Sequence, residues 1–294
     1  MRWEKVTLVG VGLLGGSLGL ALKRRGMAES IAGFVRRQAS IAECEKAGCV
    51  DFATRDLAKA VQNAGLVVFC TPLAQMLPIA KEMLPSLRAG AIVTDVGSVK
   101  AGMVRDMDKL FARTRVNFVG SHPMAGGEKM GVAAARADLF VNAACIVTPS
   151  SRTKPKALRA VRGLWRGVGG RVLQLSPGDH DSLVSRSSHL PHFVAAAVVR
   201  TVLTQGKPRE QGEVCANGFR DVTRVASGSP EMWRDIGIAN SARIGKALAA
   251  FIRDLRRLQR VIRAGDAPRL QKYLAEAKFL RDQWQSSLIS TTME

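Results

Sequence analysis

Aromatic side chains make up only 5% of the 294 residues, with a single tyrosine, and acids are outnumbered 24 to 44 by lysine and arginine. So few aromatics leave little on which a nucleic-acid base could stack. The basic residues run from Lys5 to Arg281 and are mixed with acids, so the net charge of +20 reads as a basic surface that favours small anions. It does not form the concentrated stripe of a specific nucleic-acid binder. The five cysteines (Cys44, Cys49, Cys70, Cys145, Cys215) include no C-x-x-C pair and stand at no zinc-finger spacing from a histidine. Free thiols in a reducing compartment are expected, with no metal site. No basic leader precedes the first apolar segment, and the most apolar later run, "FVAAAVVRTVL", is broken by Arg200 far short of the ~20 residues of a membrane span. A cytoplasmic chain with no membrane partner is expected. Internal repeats and low-complexity segments are also lacking.

What is present suits a folded chain of two domains: 47% hydrophobic and 23% charged residues over a length beyond most single cores. The N-terminal run "KVTLVGVGLLGGSLGLALKRRG" passes from an apolar, β-branched strand through Gly10-x-Gly12-x-x-Gly15 into a helical apolar pattern. A lone GxGxxG is weak, but between a strand and a helix it is a dinucleotide-binding turn. Gly10 allows the tight turn, Gly12 lets backbone approach a pyrophosphate, and Gly15 lets helix pack on strand. Leu13 and Leu14 open the helix whose free N–H groups face the phosphates. An NAD site carries an acid at the end of the second strand. Here "SIAGFV" ends at Val35 and is followed by Arg36 and Arg37, which would bind a 2′-phosphate. NADP is therefore expected, with NAD as the alternative.

Further buried strands end at Thr71-Pro72, at Asp95 to Ser98 and around His122, and two more follow in "AACIVTPS" and "GRVLQLSPGDHD". Strand ends of an open α/β sheet line the ligand crevice, so Thr71, Pro72, Ser98 and His122 should face one cleft. After Gly178 the periodicity is helical to the C-terminus. The boundary is placed there, giving domains 1–177 and 178–294. The last helices carry broad apolar faces through Ile244, Leu248, Phe251, Ile252, Leu255 and Leu258, suited to a homodimer. Only four histidines exist, and three (His180, His189, His192) fall in "GDHDSLVSRSSHLPH". With Pro191 inside His-x-x-His, metal ligation is a poor fit.

Seven motifs in order, "GVGLLGGSLG", "CTPLAQM", "DVGSVK", "GSHPMAGGEKMG", "DHD", "SHLPH" and "GFRDVTRVASGSPEMW", resemble the prephenate and arogenate (cyclohexadienyl) dehydrogenases of tyrosine biosynthesis along nearly the whole chain. The resemblance implies an α/β Rossmann-type doubly wound sheet followed by an all-α dimerisation domain. It also implies a metal-free oxidative decarboxylation to 4-hydroxyphenylpyruvate or tyrosine. Hydride leaves C4 of a cyclohexadiene for the nicotinamide while the 4-hydroxyl loses its proton, and carbon dioxide leaves C1. By resemblance and by its strand-end position, His122 is the proton acceptor, a role suited to a histidine, and Ser98 orients it beside the cofactor. Arg224 resembles the carboxylate clamp of the family. Arg220, at i and i+4 with it, stands where a lysine is often found. His189 and His192 resemble pocket residues, and Trp233 resembles one near the substrate side chain. His180 with Asp181 is expected as an N-terminal helix cap. His192 favours prephenate whereas Arg36-Arg37 favour an NADP-using arogenate enzyme, so the substrate stays open. No ~70-residue regulatory domain or fused mutase domain fits after the last helix, so tyrosine is expected to inhibit by competing at the site. The competing readings are another two-domain reductase of β-hydroxyacid or imine type and, more remotely, a non-catalytic NADP-sensing or nucleic-acid-binding protein.

Overall fold

The computed structural model describes residues 2–127 and 129–290, with side chains through 286. Its sheet has eight strands, β1 (Trp3–Val9), β2 (Ala28–Phe34), β3 (Phe52–Thr54), β4 (Leu66–Phe69), β5 (Ile92–Asp95), β6 (Asn117–Pro123), β7 (Ala144–Thr148) and β8 (Arg171–Gln174). Their order is β3-β2-β1-β4-β5-β6-β7-β8. The crossover helices are α1 (Leu13–Arg24), α2 (Ala39–Lys46), α3 (Leu57–Val61), α4 (Leu73–Met83), α5 (Ala101–Phe111) and α6 (Pro155–Gly167).

Strand alternation feeds two cores. Leu66 and Val68 of β4 join α1 and α6 through Leu18, Leu22 and Trp165 on one face. Val67 and Phe69 join α3, α4 and α5 through Val61, Met76, Met83 and Met107 on the other. A strand with both faces covered must be apolar throughout, as "LVVF" is. The short β3 and the direction of β7 were not legible in the sequence: "FAT" is too brief to show a period, and β7 runs antiparallel to β6.

That reversal matters for position. Residues 117–119 of β6 pair parallel with β5, and residues 120–123 pair antiparallel with β7, His122 opposite Ile146. β6 thus runs on past the end of its parallel neighbour β5 and carries His122 on the extension.

The segment after β8 is helical: α7 (Pro177–Val184), a π-helical turn (Ser185–His189), α8 (Leu190–Thr204), α9 (Pro208–Glu213), α10 (Asn217–Thr223), α11 (Pro230–Ala239), α12 (Ser241–Arg263) and α13 (Ala267–Ser290). The wide turn ends two residues before Pro191, which has no N–H with which to continue an α ladder. The chain forms two compact units, residues 1–243 and 244–294. Within the second, Tyr273 of α13 donates to Asp254 of α12, and Leu255, Ile262, Leu274, Phe279, Leu280 and Trp284 are exposed. No helix among the described residues is long and apolar enough to cross a membrane.

Candidate active site

The glycine-rich turn joins β1 to α1 at the point where the sheet order reverses, beside β4. Gly10 has φ +94°, and a Cβ there would lie 2.8 Å from Thr71 Cγ2 and 2.9 Å from the Cys70 carbonyl oxygen. A Cβ on Gly15 would stand 2.2 Å from the Gly10 oxygen. Gly12 differs: nothing lies within 4 Å of its missing Cβ, so the turn is open on that side. The first turn of α1, from Leu13 and Leu14, has neither a side-chain cap nor an acid, leaving its N–H groups for an anion. These features fit a dinucleotide pyrophosphate. Across the cleft Thr71 Oγ1, followed by Pro72, is buried without a hydrogen-bond partner among the described residues. At the end of β2 Val35 is buried and Arg36 and Arg37 are exposed. Arg37 makes only a 3.5 Å contact with Glu43.

His122 is held by the strand that carries it. The neighbouring Ser121 donates its hydroxyl to the Asp95 carbonyl at 2.6 Å and lies 2.8 Å from Thr94 Oγ1. Asp95 accepts from the Ser121 N–H at 3.0 Å and the Gly97 N–H at 2.9 Å, and pairs with the fully buried Lys100, whose ammonium also donates to the Ser121 carbonyl at 2.9 Å. A buried pair tied to the backbone at several points fixes that backbone well.

A line of three buried groups runs from this strand to α7. His122 Nδ1 lies 2.9 Å from His180 Nε2, and His180 Nδ1 lies 2.8 Å from Asp181 Oδ1. Burial pushes the Asp181 carboxyl up, but hydrogen bonds from His180 and the Lys100 and Ala101 amides outweigh it and hold it below its ordinary value. Asp181 is therefore an acceptor, which puts a proton on His180 Nδ1. Burial lowers His180, so its Nε2 is a lone pair and receives the His122 Nδ1–H. By this chain of donors and acceptors, His122 Nε2 is left as the proton acceptor. Burial, then His180 and Lys100, hold His122 well below 6.5.

His180 and Asp181 do not cap their own helix. Ser176 caps α7 by accepting from the Asp179 N–H at 3.1 Å. Asp181 instead accepts from the N–H groups of Lys100 at 2.7 Å and Ala101 at 2.9 Å, the N-cap and first residue of α5. The sequence showed only a polar "DHD" at the start of a helix, and a cap lying on a helix some eighty residues away leaves no local signature.

His189 closes the π-helical turn, 1% exposed, with burial lowering it to about 4. Its Nδ1 stands 3.3 Å from Asn240 Nδ2, and its Nε2 is buried without a well-aligned hydrogen-bond partner among the described residues. His192, on α8, stacks on Trp233 with ring centres 3.5 Å apart and planes 11° off parallel. A Cβ on Gly228 would meet Trp233 Nε1 at 2.7 Å and His192 Cε1 at 3.1 Å, so a glycine in "ASGSPEMW" makes room for the stack. Ser98 is half-buried and its hydroxyl makes no hydrogen bond to His122; its backbone faces His189. Arg220 and Arg224 are exposed. α10 ends at Thr223, and Arg224 carries the helical backbone one residue further into a 3₁₀ turn. The segment packs on α8, but the structure brings neither guanidinium into hydrogen-bonding contact with the histidines. His180, Asp181, Lys100 and Asn240 are the site residues that sequence reasoning missed.

A family model described as prephenate dehydrogenase, nucleotide-binding domain, matches residues 18–174, and one described as its dimerization domain matches residues 176–276. Prephenate dehydrogenase of Bacillus subtilis is 36% identical over 95% of this chain and 76% of its own length. Cyclohexadienyl dehydrogenase of Zymomonas mobilis is 30% identical over 95% of both chains. The solved structure of prephenate dehydrogenase from A. aeolicus in complex with hydroxyphenyl propionate and NAD+ superposes with a TM-score of 0.90 at 34% identity, over 96% of this chain and 99% of that one.

Proposed function

The chain belongs to the prephenate dehydrogenase family of nicotinamide-dependent oxidoreductases, and from that premise we propose that it oxidatively decarboxylates prephenate, arogenate or both, with NADP preferred. The observation that carries the reading is the line Asp181–His180–His122, which presents an unprotonated Nε2. His122 takes the proton of the substrate 4-hydroxyl. The nicotinamide, when bound, accepts the hydride from C4. His122 is a competent base at neutral pH because burial keeps it uncharged. His180 and Asp181 hold its ring and tautomer and stabilise the charge it acquires, as a carboxylate behind a catalytic histidine does.

Gly10, Gly12, Leu13, Leu14 and Gly15 hold the pyrophosphate, with Thr71, Pro72 and Ser98 along the nicotinamide side and Arg36 and Arg37 at the 2′-phosphate. Arg224 clamps a substrate carboxylate, with Arg220 supporting it. His189 lines the pocket, and His192 acts through the Trp233 it stacks on. Residues 1–177 serve the cofactor and residues 178–294 the substrate and a homodimer through the C-terminal helices, whose exposed apolar side chains need cover. Tyrosine, sharing the substrate's side-chain carboxylate, competes at the same site, and the enzyme works in the cytoplasm.

Initial rates of reduced-cofactor formation with prephenate and arogenate, each with NAD and NADP, test this. Turnover preferring NADP supports the assignment of Arg36 and Arg37, and the better substrate names the activity. Equal or better use of NAD removes those arginines from the 2′-phosphate site. A folded, cofactor-binding protein that turns over neither substrate belongs with the β-hydroxyacid or imine reductases in activity.

A further inference from the structure

We propose that Asn240 is a positioning residue that fixes His189 as a hydrogen-bond donor toward the pocket, in the tautomer opposite to that of His122. The inference rests on reading the histidine cluster as the substrate pocket and adds a specificity element to it: the bound molecule must offer an oxygen acceptor, carbonyl or carboxylate, to His189 as well as a proton to His122.

The argument starts from an amide. Asn240, 2% exposed at the end of α11, has Nδ2 2.9 Å from the Asp181 backbone carbonyl. A carbonyl only accepts, so the atom facing it is the NH2 and not the oxygen; the opposite amide orientation would set two acceptors against each other. The second hydrogen of the same NH2 faces His189 Nδ1 at 3.3 Å. That nitrogen must therefore hold a lone pair. With the ring kept neutral by burial, its one proton sits on Nε2.

Nε2 of His189 is buried and makes no well-aligned hydrogen bond among the described residues; the Ser98 backbone, the weakest influence on the ring, draws on it only slightly. A dry N–H with no well-aligned acceptor is unfavourable in the free protein and is satisfied when a ligand supplies one. Asn240 Oδ1 is likewise buried and unpartnered, so the amide gives up an acceptor to place two donors. The groups that face His189 are Asp181 and His180 from α7, His192 from α8, the Ser98 backbone and, edge-on at 6.1 Å, Trp233. Asp181 belongs to both arms. Its carboxylate orders the His180–His122 line, and its own carbonyl is the partner that orients Asn240. One residue thus sets one histidine to accept and the other to donate.

The test needs no substrate. Long-range 1H–15N spectra of the full chain labelled at histidine, taken at mildly alkaline pH and assigned with His122→Gln and His189→Gln variants, report the protonated nitrogen of each ring. The expected result is His189 with its proton on Nε2 and His122 with its proton on Nδ1. Asn240→Leu should leave His189 in a mixture of tautomers and lower kcat/KM for the preferred substrate about tenfold with cofactor affinity unchanged. Asn240→Asp, placing a carboxylate beside Nδ1, should bring the His189 titration up toward neutral pH. A wild-type His189 protonated on Nδ1 overturns the proposal, as does an Asn240→Leu protein whose His189 tautomer is unchanged. If that variant does not fold, the wild-type spectrum decides alone. Failure to turn over prephenate or arogenate would sink the functional reading and leave the tautomer result standing.

Discussion

At the scale of single residues, His122 and the two groups behind it are separable by substitution. His122→Asn keeps a polar side chain but no base, and kcat should fall by roughly 10² to 10⁴ while cofactor affinity, read by fluorescence titration, stays as it was. Asp181→Asn should cost a loss of similar order, because a carboxamide can donate to His180 and so allow the wrong tautomer. It should also lower stability by about 1–3 kcal/mol, since Asp181 accepts from the N–H groups of the N-cap and first residue of α5. Urea unfolding beside steady-state kinetics distinguishes the two effects; unchanged kcat in a folded Asp181→Asn protein would remove the line from catalysis. His122 was legible in the sequence because it falls at a strand end in "GSHPMAG". Asn240 was not: its two partners are about fifty and sixty positions away, and nothing in "GIANSARI" points to either.

At the scale of elements, the glycine-rich turn makes two opposed predictions. Gly12 faces open space, so Gly12→Ala should leave the melting temperature nearly unchanged and weaken cofactor binding about tenfold by standing where the pyrophosphate approaches. Gly15→Ala would put a methyl 2.2 Å from the Gly10 oxygen, and the packing of α1 on β1 should lose about 2–4 kcal/mol. Calorimetry and cofactor titration of both variants check the contrast. The turn was readable because glycine spacing between a strand and a helix is a local pattern. The reversed β7 was not, since an apolar "ACIVT" reads alike in either direction, and the extension of β6 that carries His122 depends on that reversal. The segment around Arg220 and Arg224 read as one helix; Ala216 and the turn after Thr223 break it, and the basic pair survives through the helical backbone of Arg224 alone.

At the scale of the molecule, all four histidines of the chain are buried and all four are held below their ordinary value, with burial the largest cause in each case. The unfolded chain binds protons at about 6.5, whereas His189 in the folded one waits until about 4. Stability from these groups is complete above pH 6.5 and falls as the pH drops through the gap, because only the unfolded state is then taking up protons. For His189 the slope should approach roughly 1.4 kcal/mol per pH unit, with the other three histidines adding in the same direction, measurable as a urea midpoint that moves down between pH 6.5 and 4. A midpoint flat over that interval would mean the cluster accepts protons without unfolding. The α/β sheet and the helical segment after it were legible from periodicity, yet the expected acid sensitivity was not, since four histidines in 294 residues look negligible until they are found buried together.

Burying the base has a consequence for how the enzyme would fail. In most enzymes that use a histidine base, the acid side of the rate profile counts molecules whose base has become charged. Here the fold should weaken in the same interval, so part of the activity lost on acidification would count molecules that no longer exist in the folded form. Whether it returns on neutralisation would then depend on refolding, and the time it takes would be a folding time.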